Sequence, residues 1–281
     1  MTRRDAHRGE PEIVVFGRHP VQEAIDSPGA LVRELKISKD RSAAERRTLR
    51  LAAEGAGIDF EEISRHAMTR YTGAERHDQG IAALVRLERV IEVEAFVGAS
   101  KGRAARNPTR LLALDGVTNS QNVGMVVRSV VAAGLDGLLW PLVGQPWVNG
   151  LVVRGAAGAI FECPIVRCET LVAGLVTLQA AGFVCLGLDA RADRSLFATA
   201  PAHRAAYVLG GESVGLSEDV SGLLDGRVFI PMAGRLDSLN VAVAAGLVCF
   251  HAGGLLGRNE EPRGQAVSGA VRPTVPIDLD S

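Results

Sequence analysis

The apolar and polar positions of this chain alternate with two different rhythms. From Glu12 to about Glu92, short apolar runs predict strands at Ile13–Phe16, Val32–Ile37, Ile58–Ile63 and Ile81–Leu87. Helical spacing follows Gly17, covers Ser42 to Gly55 and returns around Arg65–Tyr71. From Leu111 onward the strands become continuously apolar: Leu111–Val117, Gly137–Trp140, Pro164–Val166, Phe183–Leu188, Tyr207–Leu209 and Val228–Ile230, each separated by a helical stretch. Strands apolar on both faces and alternating with helices imply a mainly parallel sheet covered on both sides. The pattern therefore divides into a small α/β domain at 12–93, a basic linker at 94–108 and a larger α/β domain at 109–257, with disordered ends at 1–11 and 258–281.

Composition adds limits rather than a function. At 281 residues and 47% hydrophobic content, the chain has enough material for two cores, and with 4% aromatics those cores are aliphatic. A formal charge of -1 means that a polyanion would have to be met by a local basic patch. Two such patches stand out. One is the stretch Lys101, Arg103, Arg106 and Arg110, which contains no acid. The other is the set Arg41, Arg46, Arg47 and Arg50 on the Ser42 helix, diluted by Glu45 and Glu54 and equally readable as a solvated face or an RNA-docking one. The four cysteines form no Cys-x-x-Cys pair and have no histidine at zinc-finger spacing, so they read as small buried hydrophobes, with no metal expected. The longest apolar run, Val241 to Leu256, is interrupted by His251 and glycines; no membrane span is expected, and a cytoplasmic protein is.

Three segments carry candidate chemistry. Leu114 to Ser129 is a strand end, a polar loop and a helix start, with Asn122 and Arg128 placed to hold an anion or a developing negative charge. Tyr207 to Ser217 is a buried strand that runs into Gly210 and Gly211 and presents Glu212. Ile230 to Ala245 is a strand end, a turn and an apolar helix opened by Ser238 and Asn240. The plain structural alternatives are that Asn122 and Ser238 only cap helices and that Glu212 only faces water. All three are strand-end loops, the places where open α/β sheets bind ligands, which suggests a single site.

In order, spacing and polar residues, these segments resemble motifs 1, 2 and 3 of the SpoU (TrmH-like) RNA 2′-O-methyltransferases of the SPOUT superfamily. Val15 to Ala24 and His77 to Gly80 resemble, over shorter stretches, the ribosomal-protein-like RNA-binding domain that precedes the catalytic one in many members. The resemblance implies a C-terminal α/β domain with a deep trefoil knot, a homodimer and S-adenosylmethionine as cofactor. It places the cofactor against Leu209, Gly210, Gly211, Ile230, Met232, Ser238 and Leu239, and the catalytic centre at Asn122, Arg128, Glu212, Ser238 and Asn240. Arg154 joins Arg110, Arg46 and Arg50 as a candidate RNA contact. One departure is visible: many members carry an acidic residue and proline before the motif 1 asparagine, where this chain has Asn119, Ser120 and Gln121.

The implied reaction is attack of a ribose 2′-oxygen on a sulfonium methyl group. A guanidinium keeps its proton, so Arg128 suits a fixed cation better than a base. The extra small domain favours structured ribosomal RNA over tRNA. A non-catalytic assembly factor of the same fold, and an α/β enzyme for another nucleotide-like ligand, are the alternatives.

Overall fold

The computed structural model describes residues 11–74, 78–101, 107–212, 214–234 and 238–256. The expected disorder at 1–11 and 258–281 falls almost wholly outside that range, as do His77, Arg103 and Arg106. Two compact units are present: the described residues up to 89 with 148–162, and 90–147 with the described residues from 163 on.

The first unit begins with strand β1 (Glu12–Phe16), helix α1 (Arg18–Asp26), strand β2 (Ala30–Ser38), helix α2 (Ala43–Ala56), strand β3 (Asp59–Ile63), helix α3 (Arg65–Thr72) and strand β4 (Ile81–Leu87). The sheet order is β1-β4-β2-β3, antiparallel except where β3 runs parallel to β2. Helix α2 starts where it does because Ser42 and Glu45 form a reciprocal cap, and it stops at Gly57, whose φ of 68° closes the last turn. The stretches 15–24 and 78–80 meet in space: Gln79 Oε1 accepts the Arg18 main-chain N–H at 2.9 Å. Asp78, fully buried, accepts the Gly80 N–H at 2.7 Å and pairs with Arg65.

The second unit opens earlier than the charge pattern predicts. Strand β5 (Val90–Glu92) pairs in parallel with a strand of the large sheet, and helix α4 (Val93–Lys101) follows at once, so 94–101 is not a linker. The physical reason lies in the apolar stripe: Val93 and Val97, one helical turn apart, are buried in the core and outweigh the composition of small and basic residues around them. The chain continues as strand β6 (Thr109–Asp115), helix α5 (Ser120–Ala132) and strand β7 (Gly137–Pro141).

Residues 148–162 then leave this unit and belong to the first, a second correction to the expected boundary. They form the short helices α6 (Gly150–Ala156) and α7 (Ala159–Glu162). A Cβ on Gly150 would lie 2.2 Å from the Phe16 ring, and one on Gly29 would lie 1.7 Å from the Phe161 carbonyl oxygen. Only glycine permits these approaches.

Strand β8 (Ile165–Cys168), helix α8 (Leu171–Ala180), strands β9 (Val184–Leu188) and β10 (Arg204–Gly210), helix α9 (Glu218–Ser221), strand β11 (Gly226–Val228) and helix α10 (Val241–Ala252) complete the second unit. Its seven strands, all parallel, run in the order β11-β9-β10-β6-β7-β8-β5. The core is aliphatic, with Leu111, Leu139, Leu175 and Val208 fully buried. All four cysteines are free and buried; burial pushes the Cys168 and Cys185 thiols up to about 12. Among the described residues, no helix is long and apolar enough to cross a membrane, and no group of three His, Cys, Asp or Glu is placed to hold a metal ion.

Candidate active site

Strands β6 and β10 are neighbours in register, so their carboxyl ends, Asp115 and Gly210, lie side by side. The loop after β10 is held tightly. Gly215 N–H donates to the Gly211 carbonyl at 2.8 Å, and the Ser217 N–H donates to Asp115 Oδ2 at 2.6 Å, which ties this loop to the end of β6. A Cβ on Gly210 would stand 2.1 Å from the Gly215 carbonyl carbon. Gly210 is thus required by the loop folding back on its own strand, while a Cβ on Gly211 would come within 3.0 Å of the Gly116 carbonyl oxygen, and the fold-back aims Glu212 across the strand ends.

Glu212 is where the three polar segments meet. Its Oε1 accepts from Asn240 Nδ2 at 2.7 Å, from Asn122 Nδ2 at 3.1 Å and from the Val241 N–H at 3.3 Å. Asn240 Nδ2 also lies 3.4 Å from Asn122 Oδ1. Neither capping alternative holds. The N-cap of α5 is Asn119, whose side chain accepts the Gln121 and Asn122 N–H groups, so Asn122 is free of that duty. The N-cap of α10 is Asn240, not Ser238: its Oδ1 accepts the Ala242 N–H at 2.9 Å while its amide nitrogen reaches Glu212. Asn240 therefore fixes a helix start and the carboxylate at once.

Two clefts adjoin this junction. The first is lined by Leu209, Gly210, Gly211, Ile230, Met232, Ser238 and Leu239, the residues expected to hold a cofactor, and is completed by Leu188, Ala190 and Ala244. The second is lined by Asp115, Val117, Thr118, Asn119, Asn122 and Val214. Gly211, Glu212, Gly215 and Val241 line both, so the junction stands in their common wall. Leu188 and Ala190 were missed by sequence reasoning because they carry no motif; they join the site only because β9 pairs with β10. Asp115 and Thr118 did carry a signal, as the polar end of an apolar strand.

The cations fall less neatly. Arg128 is exposed: Val126, Val127 and Val130 are buried, and position 128 falls on the opposite side of the helix. It makes none of the hydrogen bonds that join Glu212 to the two asparagines. Arg110 is not a free phosphate contact, because its guanidinium donates to the carbonyls of Ala202 (3.0 Å), Pro201 (3.4 Å) and Ala252. Arg46 and Arg50 both pair with Glu62. Arg154 is exposed, on α6 in the first unit.

Comparison with known proteins gives the family. Residues 109–250 match the SpoU rRNA Methylase family, and residues 14–90 match the family described as RNA 2′-O ribose methyltransferase substrate binding. The 23S rRNA (guanosine-2′-O-)-methyltransferase RlmB of Xanthomonas axonopodis pv. citri is 34% identical over 241 residues, covering 85% of this chain and 94% of that one. An uncharacterized tRNA/rRNA methyltransferase of Mycobacterium avium is 35% identical over 247 residues, 88% of this chain and 78% of its own. Among solved structures, the SpoU methyltransferase AviRb from Streptomyces viridochromogenes, in complex with AdoMet, matches in fold with a TM-score of 0.68 at 24% identity, covering 90% of this chain and 93% of that one. A match over residues 109–250, together with relatives aligned over most of the chain, means that this protein belongs to the SpoU rRNA methylase family.

Proposed function

We propose that this protein transfers a methyl group from S-adenosylmethionine to a ribose 2′-hydroxyl of ribosomal RNA. The observation that carries this reading is the single carboxylate oxygen of Glu212 accepting from Asn122 and Asn240, at the wall shared by two clefts. The relatives named as 23S rRNA methyltransferases favour ribosomal RNA over tRNA.

The cofactor fits the first cleft. Its side walls are aliphatic, as an adenosyl group requires, and the fold-back at Gly210 leaves no room for a side chain between the loop and its strand. Leu209, Ile230 and Leu239 would pack the adenosyl group, with Gly210, Gly211, Met232 and Ser238 around the rest. When bound, S-adenosylmethionine supplies an electrophilic methyl group on a sulfonium. The chain's own residues do the remaining work. Asn122 and Asn240, locked through Glu212, orient the ribose, and Ser238 lines the cofactor side. Much of the rate comes from this alignment of oxygen, carbon and sulfur. Arg128, a fixed cation that lines neither cleft of this chain, would stabilise the developing alkoxide once RNA is bound, while an RNA phosphate or water takes the proton.

We also infer a homodimer with a knotted C-terminal segment. Met125 on α5 and Val243 on α10 are 46% and 51% exposed on helices that pack together, an apolar surface that a second copy would cover. A knot is favoured by the position of β10, between β9 and β6, with α10 docked against α5. The first unit would dock RNA, with Arg154, Arg46 and Arg50 as contacts once Glu62 is displaced.

The test of the reaction is direct. Cellular RNA from strains with and without the protein is hydrolysed in alkali, and a linkage protected only when the protein is present names the modified nucleotide. Ribosomal RNA without such a position, in a strain that makes the protein, overturns the proposal.

A further inference from the structure

Resting on that reading, we infer that the second cleft receives the base of the acceptor nucleotide, turned out of its RNA stack, with Val214 and Thr118 as its contacts on opposing loops. Three observations lead there. The cleft shares Glu212 with the cofactor cleft, so a methyl group leaving one side arrives beside whatever occupies the other. Its lining holds two carboxylates, Asp115 and Glu212, and no cationic side chain, which disfavours a phosphate and admits a neutral group that can donate hydrogen bonds. Val214 is 84% exposed at the mouth, an apolar side chain held out on a loop that glycines pin at both ends. A valine left that far into water offers a wall to a flat apolar face.

The 2′-oxygen adjoins the base in a nucleotide, so a base seated here brings the sugar edge to Asn122 and Asn240 while the phosphates stay outside. Enzymes that modify nucleotides within structured nucleic acid commonly extrude the target and read its Watson–Crick edge. Two acceptor carboxylates favour an edge rich in N–H donors, which is guanine rather than uracil. Asp115 keeps one oxygen for this purpose, since the Ser217 N–H takes Oδ2.

No aromatic side chain lines the cleft, and this supplies the experiment. A 23S rRNA fragment carries 2-aminopurine, which keeps the 2-amino donor and is dark when stacked, at the nucleotide found to be alkali-resistant. Wild-type protein should raise its emission severalfold, because the extruded base meets no ring that quenches it. Val214→Trp should stack on the base and quench that emission, with no rise in the KM for RNA and with S-adenosylmethionine affinity unchanged because Val214 does not line the cofactor cleft. Thr118→Trp places the same probe on the other wall and serves if the first variant misfolds. Wild-type protein that methylates the 2-aminopurine fragment while the probe stays dark overturns the inference alone, as does a bright probe that neither tryptophan quenches. Wild-type protein that neither binds S-adenosylmethionine nor methylates the fragment removes the underlying reaction instead.

Discussion

The two units use charge in opposite ways. In the first, cations are numerous and mostly matched: Lys36, only 8% exposed, binds Glu34 and Glu61; Arg46 and Arg50 share Glu62; Arg18 and Arg41 share Glu45; and Arg65 holds Asp78. Burial works against the Lys36 charge, yet the hydrogen bonds it donates to two glutamates outweigh it and leave its pKa raised. In the second unit the site consists of amides gathered on one carboxylate, and Arg128 stands unencumbered beside them in sequence. A count of basic residues therefore points toward the first unit, whereas the chemistry sits in the second. Charges satisfied by one another are largely spent on structure; groups gathered where strands end, with room beside them, are available for a ligand.

Substitutions can break or sharpen that contrast. The largest effect is expected for Arg128→Ala, which should lower kcat by about 10²–10³-fold while calorimetry shows unchanged S-adenosylmethionine affinity. A parallel loss of both would remove its assignment to the transition state. Glu212→Ala and Asn240→Ala should each cost about 10²-fold in single-turnover methyl transfer through lost alignment. The double variant should be little worse than either, because the two side chains act as one unit; additive losses would mean that they work separately.

In the first unit the expected effects fall on stability. Asp78→Ala removes the Arg65 ion pair and leaves the Gly80 N–H without its acceptor, a loss of about 2 kcal/mol that chemical denaturation would read, with cofactor affinity intact. Gly210→Ala returns to the second unit: the loop must shift to admit the methyl group, and S-adenosylmethionine should bind about tenfold more weakly by calorimetry, an unchanged affinity showing that the close approach is not needed. The smallest effect belongs to Glu62→Gln. The hydrogen bond from Arg46 chiefly holds the Glu62 carboxyl below the ordinary glutamate range, with Arg50 assisting and burial opposing. A depressed carboxyl stabilises the fold at neutral pH, and that contribution fades as pH falls below about 4.3 and through the lowered value. Thermal melts should therefore show a slightly steeper acid loss in the wild type than in the variant.

Much of this was legible in the sequence, and the failures share a cause. The strands could be read because an apolar run of that length has few other uses, and the polar ends of β6 and β10 marked where a site would open. The seven residues expected around the cofactor do line one cleft. What could not be read is whatever depends on a distant partner. Arg110 spends its donors on carbonyls about 90 and 140 positions away, Leu188 joins the cleft only through strand order, and α4 hides two valines in a stretch whose composition resembles a hinge. Helix starts were misplaced for a smaller reason: Asn119 and Asn122 are equally good caps by type, and only the loop geometry chooses between them.

The return of residues 148–162 to the first unit carries a consequence for how the protein is made. Phe16 and Gly29 await Gly150 and Phe161, so the amino-terminal portion remains unfinished when its own last strand leaves the ribosome and closes only after some seventy further residues have been synthesised. A fragment cut at residue 89 would thus emerge with an uncovered aromatic surface, and truncations meant to isolate RNA docking should carry α6 and α7 with them.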